Sequence, residues 1–261
     1  IPEWVTREDD GSLLDINTLL KNITDHITAV AGRYSGKIKG WDVVNEAILD
    51  DGSYRENDFY NISGEEYIFK SFEIANKIDP EAELYYNDFS MYKTEKCNAA
   101  VLLANKIRER GLRIDGIGLQ AHWGLDYPSI DEIEKSILTI HEAGYRVHFT
   151  ELDIDVLPNL WEIEGADLSD NFKSNDQLNP YKSSLPDSIS DLLSNRYSEI
   201  FNLFSKHSDK IDRVTFWGLS DGHSWKNDWP AKGRTNYPLL FNRENNPKQA
   251  YSDIISQFSV K

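Results

Sequence analysis

The apolar and polar positions of this chain follow two alternating periods. Apolar residues at three- and four-residue steps predict amphipathic helices over 13–34, 65–78, 94–110, 129–143 and 188–207, with a last helix opened by Pro247. Short apolar runs between them predict five strands, over 38–46, 83–87, 114–120, 146–151 and 213–217. Strands that alternate with helices are typical of a parallel sheet with helical crossovers.

Several predicted helix ends carry residues that favour starting or stopping a helix. Asp15 is placed to cap the first helix, and Ser129 with Glu132 has the spacing of a capping box. Gly111 and Gly144 follow the third and fourth helices, where glycine commonly ends a helix. The polar stretch 157–187 shows neither period, and its length predicts a functional loop.

Length and composition predict one domain with a sizeable core. The chain has 261 residues, 39% of them hydrophobic, and α/β barrels of about 250 residues usually form one domain. The net charge of −16 argues against a nucleic-acid partner, because phosphates would be repelled. A single cysteine, Cys97, excludes a disulfide within the chain and argues against a zinc cluster. The sequence contains no apolar run of about 18 residues that would predict a membrane span.

Polar and aromatic residues collect at the C-terminal end of every predicted strand. They are Asn45 and Glu46, Asn87 and Asp88, Gln120 and His122, Glu151 and Asp153, and Trp217. The C-terminal ends of barrel strands share one face, where active sites are found. Only tertiary structure can bring Glu46 and Glu151 together, because they are far apart along the chain. Most enzymes that cleave glycosidic bonds use a pair of carboxylates as their catalytic residues.

Each of these residues also has a purely structural interpretation. A single glutamate at a strand end is usually a solvated loop charge, and a single histidine is usually a hydrogen-bonded structural residue. A single tryptophan, such as Trp217 or Trp225, is more often a core residue. Asn87-Asp88 is a common turn dipeptide. Metal binding is a weaker alternative, because no compact ligand spacing such as HExxH is present and cleavage by two carboxylates needs no metal. The same bias at five strand ends favours a catalytic site without a metal or other cofactor.

Five motifs of the chain resemble those of the family 10 glycoside hydrolases, the retaining endo-β-1,4-xylanases. In the family's order, they are WDVVNEA (41–47), YND (86–88), GIGLQAH (116–122), TELD (150–153) and WGLSDGHSW (217–225). The resemblance spans essentially the whole chain. It implies a (β/α)₈ TIM barrel, of which only about five βα units are present, and a single catalytic domain over residues 1–261.

The resemblance also implies a role for each matching residue. Glu46 resembles the general acid/base, and Glu151 resembles the nucleophile that forms a glycosyl-enzyme intermediate. The other matching positions are expected to bind substrate or support the catalytic pair. Asn45 would bind a sugar 2-hydroxyl, and Asn87 would bind substrate or support the site. Gln120 and His122 would lie close to Glu151, Asp153 would hold His122, and Trp217 and Trp225 would form the aromatic wall of the same subsite.

The chain departs from the family pattern at two places. Phe89-Ser90 stand where the family commonly has Tyr-Asn, and the missing phenol and amide are expected to weaken contacts to the leaving-group sugar. Residues 1–5 resemble the segment after the family's third strand, so the five predicted strands match strands four to eight. A barrel without three strands cannot close. We therefore expect this chain to be the C-terminal portion of a longer enzyme, and to be inactive or poorly folded alone.

The sequence thus predicts a retaining endo-β-1,4-xylanase that acts on xylan and xylo-oligosaccharides. The alternatives are a β-1,4-glucan hydrolase on a related barrel and a non-catalytic xylan-binding remnant. Further expected partners are an N-terminal segment of the same protein and inserted carbohydrate-binding modules. The family implies a secreted, cell-surface or periplasmic bacterial protein.

Overall fold

Seven α-helices and six strands occur in the described parts of the chain, residues 2–158, 178–230 and 233–258 of a computed structural model. The strands are β1 (Gly40–Asn45), β2 (Glu83–Asp88), β3 (Gly116–Leu119), β4 (His122–Gly124), β5 (Arg146–Asp155) and β6 (Ile211–Phe216). The helices are α1 (Ile16–Tyr34), α2 (Asp58–Ser63), α3 (Glu66–Ile78), α4 (Thr94–Glu109), α5 (Ile130–Glu142), α6 (Asp187–Lys206) and α7 (Gln249–Phe258).

The chain divides into two compact units. The first contains Ile1–Gln120 and Ser136–His148, and the second contains Ala121–Lys135 and Phe149–Lys261. Strand β5 therefore begins in the first unit and ends in the second. None of the helices in the described ranges is long and apolar enough to cross a membrane.

In the first unit, β1, β2 and β3 form a parallel sheet with β2 in the middle. Asn45 lies opposite Asn87 across β1 and β2, and Asn87 lies opposite Gly118 across β2 and β3. The start of β5 lies beside β3, where the Arg146 N–H donates to the Asp115 carbonyl. The carboxyl ends of β1, β2 and β3 therefore lie side by side.

The two strands β1 and β2 are buried to different extents. All residues of β2 after Glu83 are buried, whereas only Val44 is buried in β1. In the described part of the chain β1 pairs with β2 alone, so its other edge lacks a strand partner. The buried side of α3, which includes Ile68 and Phe72, contributes to the core of this unit.

In the second unit, β4 and β6 pair with β5. Strands β4 and β5 are parallel, with His122 opposite Asp153. The core of this unit is rich in aromatic rings, and Phe149 stacks on Phe204 with ring centroids 4.2 Å apart. Helix α7 is linked to α6 by a hydrogen bond from Ser194 Oγ to Asp253 Oδ2, 2.6 Å long.

The predicted helix signals are confirmed. Asp15 accepts hydrogen bonds from the N–H groups of Asn17 and Thr18 and so caps α1. Glu132 accepts the Ser129 N–H at 2.8 Å and donates its own N–H to Ser129 Oγ at 3.3 Å, as a capping box requires. Gly111 and Gly144 follow α4 and α5 with φ values of 75° and 82°, a conformation that favours glycine.

Other boundaries differ from the predictions. The strand predicted over 114–120 is present as the shorter β3, and the separate β4 was not predicted. Ala121 between them has a φ of 63°, which interrupts the extended backbone. Helix α2, which begins after its cap Asn57, is too short to show a period and was not predicted. The last helix begins at Gln249, because Pro247 forms a bridge with Phe241. Most of the predicted loop over 157–187 lies outside the described residues.

We expect Gly116→Ala to destabilise the protein. A Cβ atom at Gly116 would lie 2.5 Å from Tyr85 Cε1 and 2.6 Å from the Arg146 carbonyl oxygen. Such overpacking typically costs about 1–3 kcal/mol. Urea denaturation of the variant measures the change in the free energy of unfolding.

The matched control is Gly32→Ala in α1. A Cβ atom at Gly32 would meet only Ile78 Cγ2, at an ordinary 3.6 Å. Alanine in a helix is favoured over glycine by about 0.5–1 kcal/mol, so this variant should gain stability. Equal losses in the two variants would contradict the packing explanation.

Candidate active site

The structure places the predicted site residues in two groups, one in each unit. The Glu46 cluster consists of Asn45, Glu46, Asn87 and Gln120 in the first unit. The Glu151 cluster consists of His122, Glu151, Asp153 and Trp225 in the second unit.

The Glu46 cluster is built on the adjacent ends of β1, β2 and β3. Asn45 ends β1 and Glu46 follows it, Asn87 lies near the end of β2, and Gln120 follows β3. Parallel pairing brings Asn45 opposite Asn87, so their side chains meet at the same edge. Strand order in the first unit thus explains why residues distant in sequence share one cluster.

A hydrogen-bond network fixes the orientation of the Asn45 amide. Its Oδ1 accepts from Asn87 Nδ2 at 3.0 Å and from Gln120 Nε2 at 3.2 Å. With the oxygen so placed, its Nδ2 faces Glu46 Oε1 at 3.3 Å. Asn87 is buried, with 1% of its surface exposed, so its amide is held firmly in place.

Two of the three side-chain amides in this cluster approach the same oxygen of Glu46. Gln120 Nε2 donates to Oε1 at 2.9 Å, and Asn45 Nδ2 approaches that oxygen as well. Because Oε1 is engaged as an acceptor, a proton carried by Glu46 belongs on Oε2. The place of Gln120 close to Glu151, expected from the family resemblance, stays a prediction.

The backbone of Glu46 adopts a left-handed conformation that the sequence did not indicate. Its φ is 56°, which costs a non-glycine residue about 1–3 kcal/mol unless its surroundings impose it. Two contacts hold it there. The Glu46 N–H donates to the Asn87 carbonyl at 2.9 Å, and the Glu46 carbonyl accepts from Arg55 Nε at 2.8 Å. Strained backbone of this kind is often found at functional sites.

In the Glu151 cluster, His122 lies between two carboxylates. Its Nε2 is 3.2 Å from Glu151 Oε2, and its Nδ1 is 2.9 Å from Asp153 Oδ1. Trp225 donates its indole N–H to Asp153 Oδ2 at 2.9 Å and packs against the His122 ring, with centroids 4.9 Å apart. Asp153 therefore orients both the histidine and the tryptophan.

Hydrogen bonding raises the pKa of His122. Burial alone would lower this pKa, but the hydrogen bonds to Asp153 and Glu151 outweigh it and raise the pKa above 6.5. A protonated His122 donates to both carboxylates at once. The predicted contact of Asp153 with His122 is thus present.

Lys226 and Trp217 also contact residues of β5. Lys226, which the sequence analysis did not single out, is buried with Nζ 3.5 Å from Asp153 Oδ1. Its position directly after Trp225 was the only signal available. Trp217 follows β6, and its N–H donates to the Leu152 carbonyl at 3.2 Å. Trp217 is 46% exposed, so it is not part of the core.

The described residues contain no group of three or more His, Cys, Asp or Glu side chains arranged to hold a metal ion. Cys97 is buried in α4.

Comparisons with known proteins identify related sequences and structures. The family model "Glycosyl hydrolase family 10" matches residues 1–257. An endo-1,4-beta-xylanase A from Xylanibacter ruminicola is 44% identical over 98% of this chain and 70% of its own length. An endo-1,4-beta-xylanase from Geobacillus stearothermophilus is 36% identical over 98% of this chain and 73% of its own length.

A solved structure shows the same relationship in three dimensions. It is described as a novel GH10 endoxylanase retrieved from sugarcane soil metagenome. It is 43% identical, with a TM-score of 0.90 over 98% of this chain and 73% of that chain. The expected fold class is confirmed, since the chain carries part of a (β/α)₈ barrel.

We expect His122 to make folding stability depend on pH. Because its folded pKa is raised, the protonated form contributes stability that is fully present below the unfolded pKa, and this stability is lost as pH rises through the folded pKa. Replacing His122 with a neutral glutamine removes that contribution. The loss of stability in His122→Gln should therefore be larger at about pH 6 than at about pH 9.

The measurement is urea denaturation of the parent and His122→Gln at both pH values. The control is His26→Gln on the exposed surface of α1. If His122→Gln lowers stability by the same amount at both pH values, protonated His122 does not stabilise the fold.

Proposed function

Because the chain belongs to glycosyl hydrolase family 10, we propose that it supplies the catalytic carboxylates of a retaining endo-β-1,4-xylanase. The proposed substrates are xylan and xylo-oligosaccharides. The proposal takes residues 1–261 as one catalytic domain of a secreted bacterial enzyme. An N-terminal segment and inserted carbohydrate-binding modules are its proposed further parts.

The different partners of Glu46 and Glu151 support distinct roles for the two residues, and this observation carries the proposal. Neutral amides approach one oxygen of Glu46, which leaves Oε2 to carry a proton for general acid catalysis. A histidine faces Oε2 of Glu151, as suits a carboxylate that acts as a nucleophile. Carboxyl groups in unlike environments are the usual basis for dividing acid and nucleophile roles.

In the first step, Glu151 attacks the anomeric carbon while Glu46 protonates the departing glycosidic oxygen. The bond from the anomeric carbon to that oxygen breaks, and an ester bond to Glu151 forms. In the second step, Glu46 removes a proton from water, whose oxygen attacks the same carbon and releases Glu151. Two inversions give net retention, and the mechanism requires both carboxyl groups to act at one glycosidic bond.

The remaining site residues are proposed to bind and orient the sugar. Asn45 has its amide preset by Asn87 and Gln120, so little reorganisation is needed for it to meet a 2-hydroxyl. Trp217 and Trp225 offer indole faces, which suit the apolar side of a pyranose ring. Asp153 holds His122 and Trp225 in place for this task.

We expect Glu46→Gln and Glu151→Gln to lose activity to different extents. Loss of a general acid/base typically costs about 10²–10⁴-fold in turnover. Glu151→Gln should have no measurable turnover, because no covalent intermediate can form. Reducing ends released from xylan measure the rate, and Glu73→Gln on exposed α3 surface is the matched control.

The same assays, applied to residues 1–261 and to the complete reading frame, decide between the candidate functions. Faster release from carboxymethyl-cellulose than from xylan would favour a β-1,4-glucan hydrolase. Oligosaccharide binding without turnover in the complete protein would favour a binding role. Unchanged turnover in Glu151→Gln would reject Glu151 as the nucleophile. Proton NMR of the first product should show the β-anomer, as retention requires.

A further inference from the structure

A buried ion pair joins α4 to the end of β2. Lys96 and Asp88 both have fully buried side chains, and Lys96 Nζ lies 2.9 Å from Asp88 Oδ1. Removing two charges from water is costly, so a buried pair is weak evidence of a stabilising role. The contacts of Asp88 and Lys96 with other residues indicate the role of the pair.

Asp88 binds the backbone just after Glu46. Its Oδ2 accepts the Ile48 N–H at 3.4 Å and the Tyr86 hydroxyl. The Tyr86 hydroxyl in turn accepts the Ala47 N–H at 3.1 Å. Ala47 and Ile48 are each 1% exposed, so these two side chains satisfy amides that water does not reach readily.

The Lys96 ammonium is itself held on several sides. It lies 3.7 Å from the centre of the Phe89 ring and 3.3 Å from Asp50 Oδ1. Burial raises the pKa of Asp88 even though Lys96 opposes that shift. Lys96, 2.9 Å from Asp88 Oδ1, therefore favours the ionised form of this buried carboxyl group.

We propose that Lys96 is a positioning residue for Glu46. It keeps Asp88 charged, so that Asp88 and Tyr86 accept hydrogen bonds from the N–H groups of Ile48 and Ala47. These hydrogen bonds maintain the left-handed backbone from which the Glu46 side chain projects toward Asn45 and Gln120. The inference rests on the proposed acid/base role of Glu46, and Lys96 itself does not touch substrate.

The test compares Lys96→Met with Lys93→Met in the protein encoded by the complete reading frame. Lys93 also pairs with Asp50, but its side chain is 41% exposed. A displaced acid should slow cleavage of xylan by about 10–100-fold. Hydrolysis of 2,4-dinitrophenyl xylobioside should fall far less, because its leaving group needs little protonation. KM should stay near the parent value.

A double variant separates the charge of Asp88 from the effect of leaving a buried carboxylate unpaired. In Asp88→Asn/Lys96→Met both charges are removed, and asparagine still offers an oxygen to the Ile48 N–H. Because the proposed role of Lys96 is to keep Asp88 charged, this variant should cleave xylan no faster than Lys96→Met. Recovery of most of the lost xylan activity would overturn the proposal, because a neutral residue 88 would then be sufficient.

If Lys96→Met does not fold, Tyr86→Phe tests the same hydrogen bonds to the backbone after Glu46. It removes only the hydroxyl that binds the Ala47 N–H, and it should shift the ratio of xylan to aryl-xyloside rates in the same direction. Its control is Tyr85→Phe, because the Tyr85 hydroxyl instead donates to Glu83 at 3.0 Å. Equal rate ratios in these two variants would overturn the proposal.

Amide hydrogen exchange gives a readout that does not depend on turnover. Exchange at Ala47 and Ile48 should accelerate in Lys96→Met and remain slow in Lys93→Met. Unchanged exchange in Lys96→Met overturns the proposal, as does faster exchange with an unchanged rate ratio. If the parent cleaves no glycoside, the proposed function fails, and exchange alone decides whether Lys96 holds this turn.

Discussion

The parallel register of β1 and β2 is the constraint on which the Glu46 cluster depends. It sets Asn45 opposite Asn87, so the amide of one meets the amide of the other. The same pairing places the Asn87 carbonyl where it accepts the Glu46 N–H. Because side chains alternate between faces along a strand, a slip of one residue would exchange the faces of β1 and break these contacts together.

In the second unit, charged groups rather than amides hold the site residues in place. Asp153 is fully buried, and it receives a hydrogen bond from Trp225 while it contacts His122. A buried carboxylate is tolerated only when such partners replace its lost hydration. Lys226 adds a nearby positive charge, so the negative charge of Asp153 is opposed on more than one side.

The sequence predicted the type of fold and the polar side chains at the strand ends because those signals are local. Periodicity marks helices and strands, and polar residues after apolar runs mark strand ends. The turn at Glu46 was not predicted, because its φ is imposed by Asn87 and Arg55 from other parts of the chain. Lys96 was missed for a related reason. A lysine in a helical pattern is normally exposed, and only the packed structure shows its carboxylate partner.

The contacts of Asp153 also bear on how this protein can change in evolution. His122, Trp225 and Lys226 all approach the same carboxylate, so a substitution at one alters the surroundings of the others. Energies of residues that share a partner are not additive. A change tolerated in one background would therefore be harmful in another. The order in which such substitutions arise would limit which related sequences this chain can reach.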